Sequence, residues 1–318
     1  MRIYRHFDEI TDLHQGGAIA IGNFDGVHLG HQTVINAAGN AARAADVPWG
    51  VLTFEPHPRM VFDASAPPFR LTPFHAKLRQ IEALGVDFLV VLHFDKKLAS
   101  MAADEFVERV LIAGFGACHI VSGHDFVFGH NRKGTADYLA AKGAEHGFQC
   151  QSISEVLGDG GKGISSTRIR QYLFDANPLD AARLLGHPYE IEGRVAHGDE
   201  RGRQIGFRTA NIELEANVRP ALGVYAVRAG IDEGINTVWH DGVANLGYRP
   251  TFDGETPVLE AHLFDFDQDI YGKHLRVGLI DFLRPEQKFD GVDALKAQID
   301  KDCKEASLRL ATGNWNSA

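Results

Sequence analysis

The hydrophobic rhythm of the chain changes near its middle. In the first half, short apolar runs alternate with stretches of helical period. Ala18–Ile21, Pro48–Phe54, Phe88–Leu92 and His119–Ser122 read as strands, most of them apolar enough to be covered on both faces. Between them, Thr33–Ala38 opens an Ala-rich helix, and Ala76–Leu84 has helical spacing that stops at Gly85, a C-cap residue. Strands alternating with helices predict a parallel sheet whose ligands sit beyond the C-terminal strand ends.

After about Gly186 the segments are shorter, strand-like and separated by turn residues. They run over Tyr189–Val195, Gly223–Val227, Gly242–Leu246, Pro257–Phe264 and Leu275–Phe282. This spacing predicts an antiparallel barrel, with a helix over Val292–Leu310 beyond it. Helical segments at Thr167–Phe174 and Leu179–Leu185 form the junction. The fold class is therefore α/β plus β, with a first domain over residues 1–185 and a second over 186–318.

Composition narrows the partners. A chain of 318 residues favours two domains. Its formal net charge of −10 argues against non-specific nucleic-acid binding, which needs basic surface. Charged residues interrupt the chain too often for a membrane span, and its start shows no apolar core of signal-peptide length. Cys118, Cys150 and Cys303 are scattered and odd in number, which suggests neither a zinc site nor a disulfide framework. A reducing, cytoplasmic setting is expected, with small-molecule substrates and with no nucleic acid or membrane. Oligomeric state stays open.

The densest chemistry lies at Gly22-Asn23-Phe24-Asp25-Gly26-Val27-His28-Leu29-Gly30-His31-Gln32. A strand, a tight loop and a helix start form a natural phosphate site, because the first helical N–H groups lack partners and the helix dipole favours anions. Gly26 and Gly30 allow close backbone approach. His28 and His31 add donors that can follow charge developing on phosphorus. The pair also reads as a helix cap or as metal ligands, although no third ligand lies at a recognisable spacing. Further on, hydroxyls at Ser165, Ser166 and Thr167 can cap a helix or bind phosphate, with Arg170 one turn in. In the second half, Gly198–Asn211 interleaves glycine with arginine, the composition of a phosphate loop or of a solvated barrel turn.

The full pattern G-N-F-D-G-V-H-x-G-H-Q resembles the nucleotidyltransferase signature of the bacterial bifunctional riboflavin kinase/FAD synthetase family. Thr53–Pro58, Gly123–Gly129 and Ile164–Arg170 extend the likeness, as do Gly242–Phe252, Asp269–Lys273 and Phe282–Phe289. The resemblance implies a Rossmann-like nucleotidyltransferase domain followed by a riboflavin-kinase-type antiparallel β-barrel with a terminal helix. It implies that His28, His31, Arg170 and Glu260 are catalytic. Gly22, Asn23, Phe24, Asp25, Gly30, Asp125, Ser165, Ser166 and Thr167 would bind ATP or flavin in the first domain. Gly202, Arg203, Gly206, Thr209, Asn211 and Asn245 would do so in the second, with Thr209 and Asn211 also holding Mg²⁺. Riboflavin would be phosphorylated to FMN by ATP, with Glu260 as base, and FMN adenylylated to FAD with release of pyrophosphate. Arg208 stands where the family pattern has proline, which leaves a kinase of weakened or altered activity as an alternative. A flavin-binding regulator without turnover is a third reading.

Overall fold

The computed structural model describes every residue except 64, 66, 197–206, 215–216, 252–253 and 314–318; for 249–251 and 254–256 only the backbone is described. The chain divides into two compact units, one of residues 1–67 and 72–164, the other of 68–71 and 165–318.

The first unit is built on six parallel strands: β1 (Arg2–Tyr4), β2 (Ala18–Ile21), β3 (Trp49–Glu55), β4 (Phe88–His93), β5 (His119–Gly123) and β6 (Gln149–Ile153). Their order across the sheet is β1-β4-β3-β2-β5-β6. Every residue of β2 is buried, because both faces are covered. Ile19 and Ile21 join a core that includes Phe106, Val110 and Phe115, whereas Ala18 and Ala20 face the core containing α1 (Leu29–Ala45). The small side chains Ala38 and Ala42 let α1 lie close on the sheet, and Trp49 Nε1 donates to the Ile35 carbonyl at 3.1 Å. The expected helix over Ala76–Leu84 is α2 (Phe74–Ala83), with Gly85 just past its end at φ 89°.

The second unit begins with α3 (Ser166–Phe174) and α4 (Pro178–Leu185). Six antiparallel strands follow: β7 (Tyr189–Arg194), β8 (Ala210–Glu213), β9 (Gly223–Ile231), β10 (His240–Thr251), β11 (Gly254–Leu263) and β12 (His274–Arg284). They run in the order β7-β12-β9-β10-β11-β8, and the two edges meet where the Ala196 N–H donates to the Asn211 carbonyl at 2.9 Å. That bridge closes the predicted barrel. The terminal helix α5 (Val292–Ala311) packs Ala306 and Leu310 on Val224, Ala226, Val243 and Ile280. Both junction helices group with the barrel rather than with the parallel sheet.

Candidate active sites

From β2 the chain moves outward through β3 and β4, and β5 then returns to the opposite side of β2. Such a switch point opens a crevice beyond the C-terminal strand ends, and the Gly22–His28 loop occupies it. Neighbours hold that loop from several sides. The Gly22 N–H donates to the Leu52 carbonyl at 3.1 Å, Thr53 Oγ1 donates to the Asn23 carbonyl at 3.1 Å, and Gln32 Nε2 donates to the Val27 carbonyl at 2.9 Å. Position 22 must be glycine, because the Phe24 ring lies 2.9 Å from where a Cβ would stand. Phe24 and Val27 take φ of 49° and 38°, values that a β-branched residue rarely adopts. Asp25, only 3% exposed, accepts the Thr72 N–H at 3.1 Å, and Thr72 Oγ1 accepts the Gly26 N–H at 3.0 Å. Backbone held out of its preferred regions by so many contacts is a mark of a working site.

Helix α1 starts at Leu29, not at Thr33 as expected, because His28 serves as its N-cap. His28 Nδ1 accepts the His31 N–H at 3.2 Å, so the neutral His28 ring carries its proton on Nε2. The two rings stack with centroids 3.6 Å apart, and Phe24 meets His31 edge-on at 5.4 Å. The N–H groups of Leu29 and Gly30 have no acceptor within the helix, and the positive end of its dipole lies beside them. Asp125 is exposed two residues past β5, the strand paired with β2. Arg59 N–H caps on His57 Nδ1 at 3.2 Å, which makes that histidine a helix cap.

The structure adds Thr72 and Lys77 to this neighbourhood, and sequence reasoning had named neither. Lys77 is almost wholly buried and pairs with Glu55 at 3.0 Å at the end of β3. Only Glu55 lies within a segment that carried the family likeness; Thr72 lies in no motif.

In the second unit, Ser165 is the N-cap of α3 and accepts the Arg168 N–H at 3.3 Å. Ser166 and Thr167 are its first helical residues. Arg170 Nε donates to the Phe69 carbonyl at 2.6 Å, and its guanidinium lies over the Phe69 ring. The chain enters this segment from Ile164, whose carbonyl oxygen is 3.5 Å from where a Cβ on Gly30 would stand.

The barrel brings its predicted residues together through strand register. Asn245 faces Glu260 across β10 and β11, and Glu260 faces Asn211 across β11 and β8. This row, with Thr209, lines a cavity of about 670 Å³. That volume suits a ligand of cofactor size. Asn211 Nδ2 donates to the Thr209 carbonyl at 3.4 Å, and Asn245 Nδ2 donates to Glu286 Oε1 at 3.2 Å. Arg208 is held at both ends: its Nη1 donates to the Asp267 carbonyl at 3.2 Å, and its carbonyl accepts from His262 Nδ1 at 2.8 Å. Leu295 and Ile299 of α5 form another wall, and Arg284 clasps Asp302 at 2.9 and 2.7 Å to tie that helix to β12. Gly202, Arg203 and Gly206 lie outside the described residues.

Among the described residues, no group of three or more His, Cys, Asp or Glu side chains is arranged to hold a metal ion. The neutral oxygens of Thr209 and Asn211 instead fit Mg²⁺ that arrives with substrate phosphates, because this ion keeps several waters and takes few protein ligands.

A parallel sheet with a glycine-bearing loop leading into a helix start at its switch point, joined to a barrel whose cavity carries a row of polar side chains, defines a two-module, nucleotide-handling class of enzyme. A family profile described as FAD synthetase matches residues 10–168, and one described as riboflavin kinase matches 185–310. Proteins named bifunctional riboflavin kinase/FMN adenylyltransferase are similar over nearly the whole chain. The one from Escherichia coli (strain K12) is 41% identical over 95% of this chain and 96% of its own. The one from Bacillus subtilis (strain 168) is 41% identical over 91% and 90%. A crystal structure described as a macrolide-efflux protein from Streptococcus pneumoniae superposes with a TM-score of 0.82 at 35% identity, covering 94% of this chain and 96% of that one. No helix among the described residues is long and apolar enough to cross a membrane. The chain belongs to the bifunctional riboflavin kinase/FMN adenylyltransferase family.

Proposed function

We propose that this chain carries out two ATP-dependent steps in sequence, riboflavin to FMN and FMN to FAD, each at its own site. Kinase chemistry belongs to the barrel, within residues 186–318. The observation that carries this assignment is the single cavity that gathers Thr209, Asn211, Asn245 and Glu260. Glu260 takes the proton from the riboflavin 5′-hydroxyl as that oxygen attacks the ATP γ-phosphorus, and ADP leaves. Thr209 and Asn211 would hold Mg²⁺, which when bound neutralises phosphate charge.

Adenylyl transfer belongs to the first domain, within residues 1–185. An FMN phosphate oxygen attacks the ATP α-phosphorus, and pyrophosphate leaves. No protein nucleophile is needed, so catalysis is alignment and charge stabilisation. His28 donates from Nε2, and His31 and the Leu29 and Gly30 N–H groups add further donors at the helix start. Gly22, Asn23, Phe24, Asp25 and Asp125 would contact ATP or flavin, and the family likeness implies nucleotide contacts for Ser165–Arg170 as well. Free Cys118, Cys150 and Cys303 fit work in the reducing cytoplasm. Nothing observed favours a weakened kinase or a non-catalytic flavin binder.

Riboflavin, ATP and Mg²⁺ supplied together should yield FMN and then FAD, resolved by chromatography. His31→Ala should stop the sequence at FMN, with a loss of ~3 kcal/mol in adenylyl transfer by analogy with other oxyanion donors. Glu260→Gln should block FMN formation while still converting supplied FMN to FAD. Equal losses in both steps, with folding intact, would contradict the two-site assignment.

A further inference from the structure

His262 was not among the predicted site residues, yet it lines the barrel cavity together with Arg208, Thr209, Asn211 and Glu260. It lies two residues after Glu260 on β11, so both side chains rise from the same face of the strand. The register that sets Ala261 opposite Ala210 carries His262 on to the level of Thr209. There the His262 ring reaches the backbone that precedes Thr209. A carbonyl oxygen can only accept, so at 2.8 Å Nδ1 is the donor and holds the Arg208 carbonyl. Edge-on contacts with Phe207 at 5.2 Å and Phe264 at 6.0 Å fix the ring plane.

Thr209 has no regular strand of its own, since β8 begins only at Ala210. Phe207 and Arg208, which lead into it, also lie outside any helix or strand. The peptide linking Arg208 to Thr209 therefore has no helix or strand ladder to set it, and the His262 bond is applied directly to it.

We infer that His262 is a positioning residue of the kinase site: its Nδ1–H fixes the Arg208–Thr209 peptide so that the Thr209 hydroxyl meets the Mg²⁺–ATP phosphates beside Asn211 and Glu260. His262 itself touches no reacting atom. The inference rests on the proposed placement of Thr209 on the nucleotide. It also accounts for the tolerance of arginine where the family pattern has proline, because the carbonyl is held from across the sheet whatever ring or chain sits at position 208.

Four variants test it, each measured for riboflavin phosphorylation with separate KM for ATP, KM for riboflavin and kcat. His262→Asn keeps a donor where Nδ1 stands, His262→Gln moves the donor outward to the Nε2 position, and His262→Phe keeps the ring without a donor. Thr209→Ala is the reference. His262→Phe and His262→Gln should raise KM for ATP about five- to tenfold, the scale of one lost hydrogen bond, with KM for riboflavin within twofold of the wild type. His262→Asn should stay within twofold on both. A wild-type KM for ATP in His262→Phe, or equal impairment in His262→Asn, overturns the inference, as does a matching rise in both KM values. If Thr209→Ala raises KM for ATP while His262→Phe does not, the His262 inference alone fails. If Thr209→Ala leaves KM for ATP unchanged, the placement of Thr209 fails first.

Discussion

Replacing Thr72 with valine removes a hydroxyl that accepts from the Gly26 N–H at 3.0 Å and donates to Asp25 Oδ1 at 3.5 Å. Valine matches threonine in shape, so no cavity opens. The Gly26 N–H, now bonded to Thr72 Oγ1 at 3.0 Å in a buried setting, is left without that acceptor. An unsatisfied buried donor costs about 1–3 kcal/mol. The backbone bond from the Thr72 N–H to Asp25 survives the change, so the loop keeps one of its bonds to Thr72 along with its ties to Leu52, Thr53 and Gln32. Gly26 sits between Phe24 and Val27, both at positive φ, where relaxation toward ordinary backbone is downhill once the restraint is gone. The loop should therefore loosen locally before the unit unfolds. If half or more of the penalty appears as misplaced phosphate donors, FAD formation from FMN falls by roughly five- to thirtyfold (~1–2 kcal/mol). The assay is FMN plus ATP to FAD, with riboflavin phosphorylation by the same preparation as the internal control. Phosphorylation should stay within twofold of the wild type, and the melting temperature should fall by only about 2–4 °C. Unchanged FAD formation, with or without a lower melting temperature, would refute the argument that the Thr72 bond maintains this site. So would an equal loss in both activities.

Other consequences follow from particular contacts. Arg208→Ala removes the tie to the Asp267 carbonyl and should slow riboflavin phosphorylation about threefold; Arg208→Pro, which sets φ near −65°, should recover that loss. Faster phosphorylation by Arg208→Ala would show that the arginine hinders the site. A chain ending at Leu185 should still make FAD from FMN but melt earlier, because Ala181, Leu184 and Leu185 lose the barrel strands that bury them. A folded truncation that binds both substrates and makes no FAD would contradict separable chemistry. Burial against Phe88 holds the His14 pKa below its ordinary 6.5, so the folded state favours the neutral ring. Its contribution to stability is full above pH 6.5 and disappears as pH falls through the lowered folded value. His14→Gln should flatten the decline of melting temperature below pH 6.5, and an unchanged slope would remove His14 from that decline.

Most elements were legible because burial writes itself into spacing. The apolar runs at β2, β3, β4 and β5 marked the parallel sheet, and the shift to short segments marked the barrel. Strand ends were less visible. β10 runs over His240–Thr251, well beyond the apolar Gly242–Leu246, because backbone pairing with β11 needs no apolar side chains. A cap at the histidine pair was one of several readings, but the start of α1 at Leu29 was not fixed by it, because histidine capping through Nδ1 depends on a rotamer, not on residue type. The Gly22–His28 loop was legible as a motif, but its support from Thr72 comes from more than forty residues away along the chain, and a lone threonine before a proline carries no signal of that contact. The row Asn245–Glu260–Asn211 required strand register, which one sequence cannot supply. Glu260 was singled out beforehand only by its likeness to a general base, whereas His262 was not singled out.

The most direct test follows the phosphorus atoms. Riboflavin is incubated with wild-type protein, Mg²⁺ and ATP labelled either at the γ- or at the α-phosphorus, and the flavins are separated. Two sites acting in sequence predict γ-label in FMN and in FAD, α-label in FAD alone, and pyrophosphate released in equal amount with FAD. α-Label in FMN, FAD lacking α-label, or no transfer of γ-label to FMN would contradict the account.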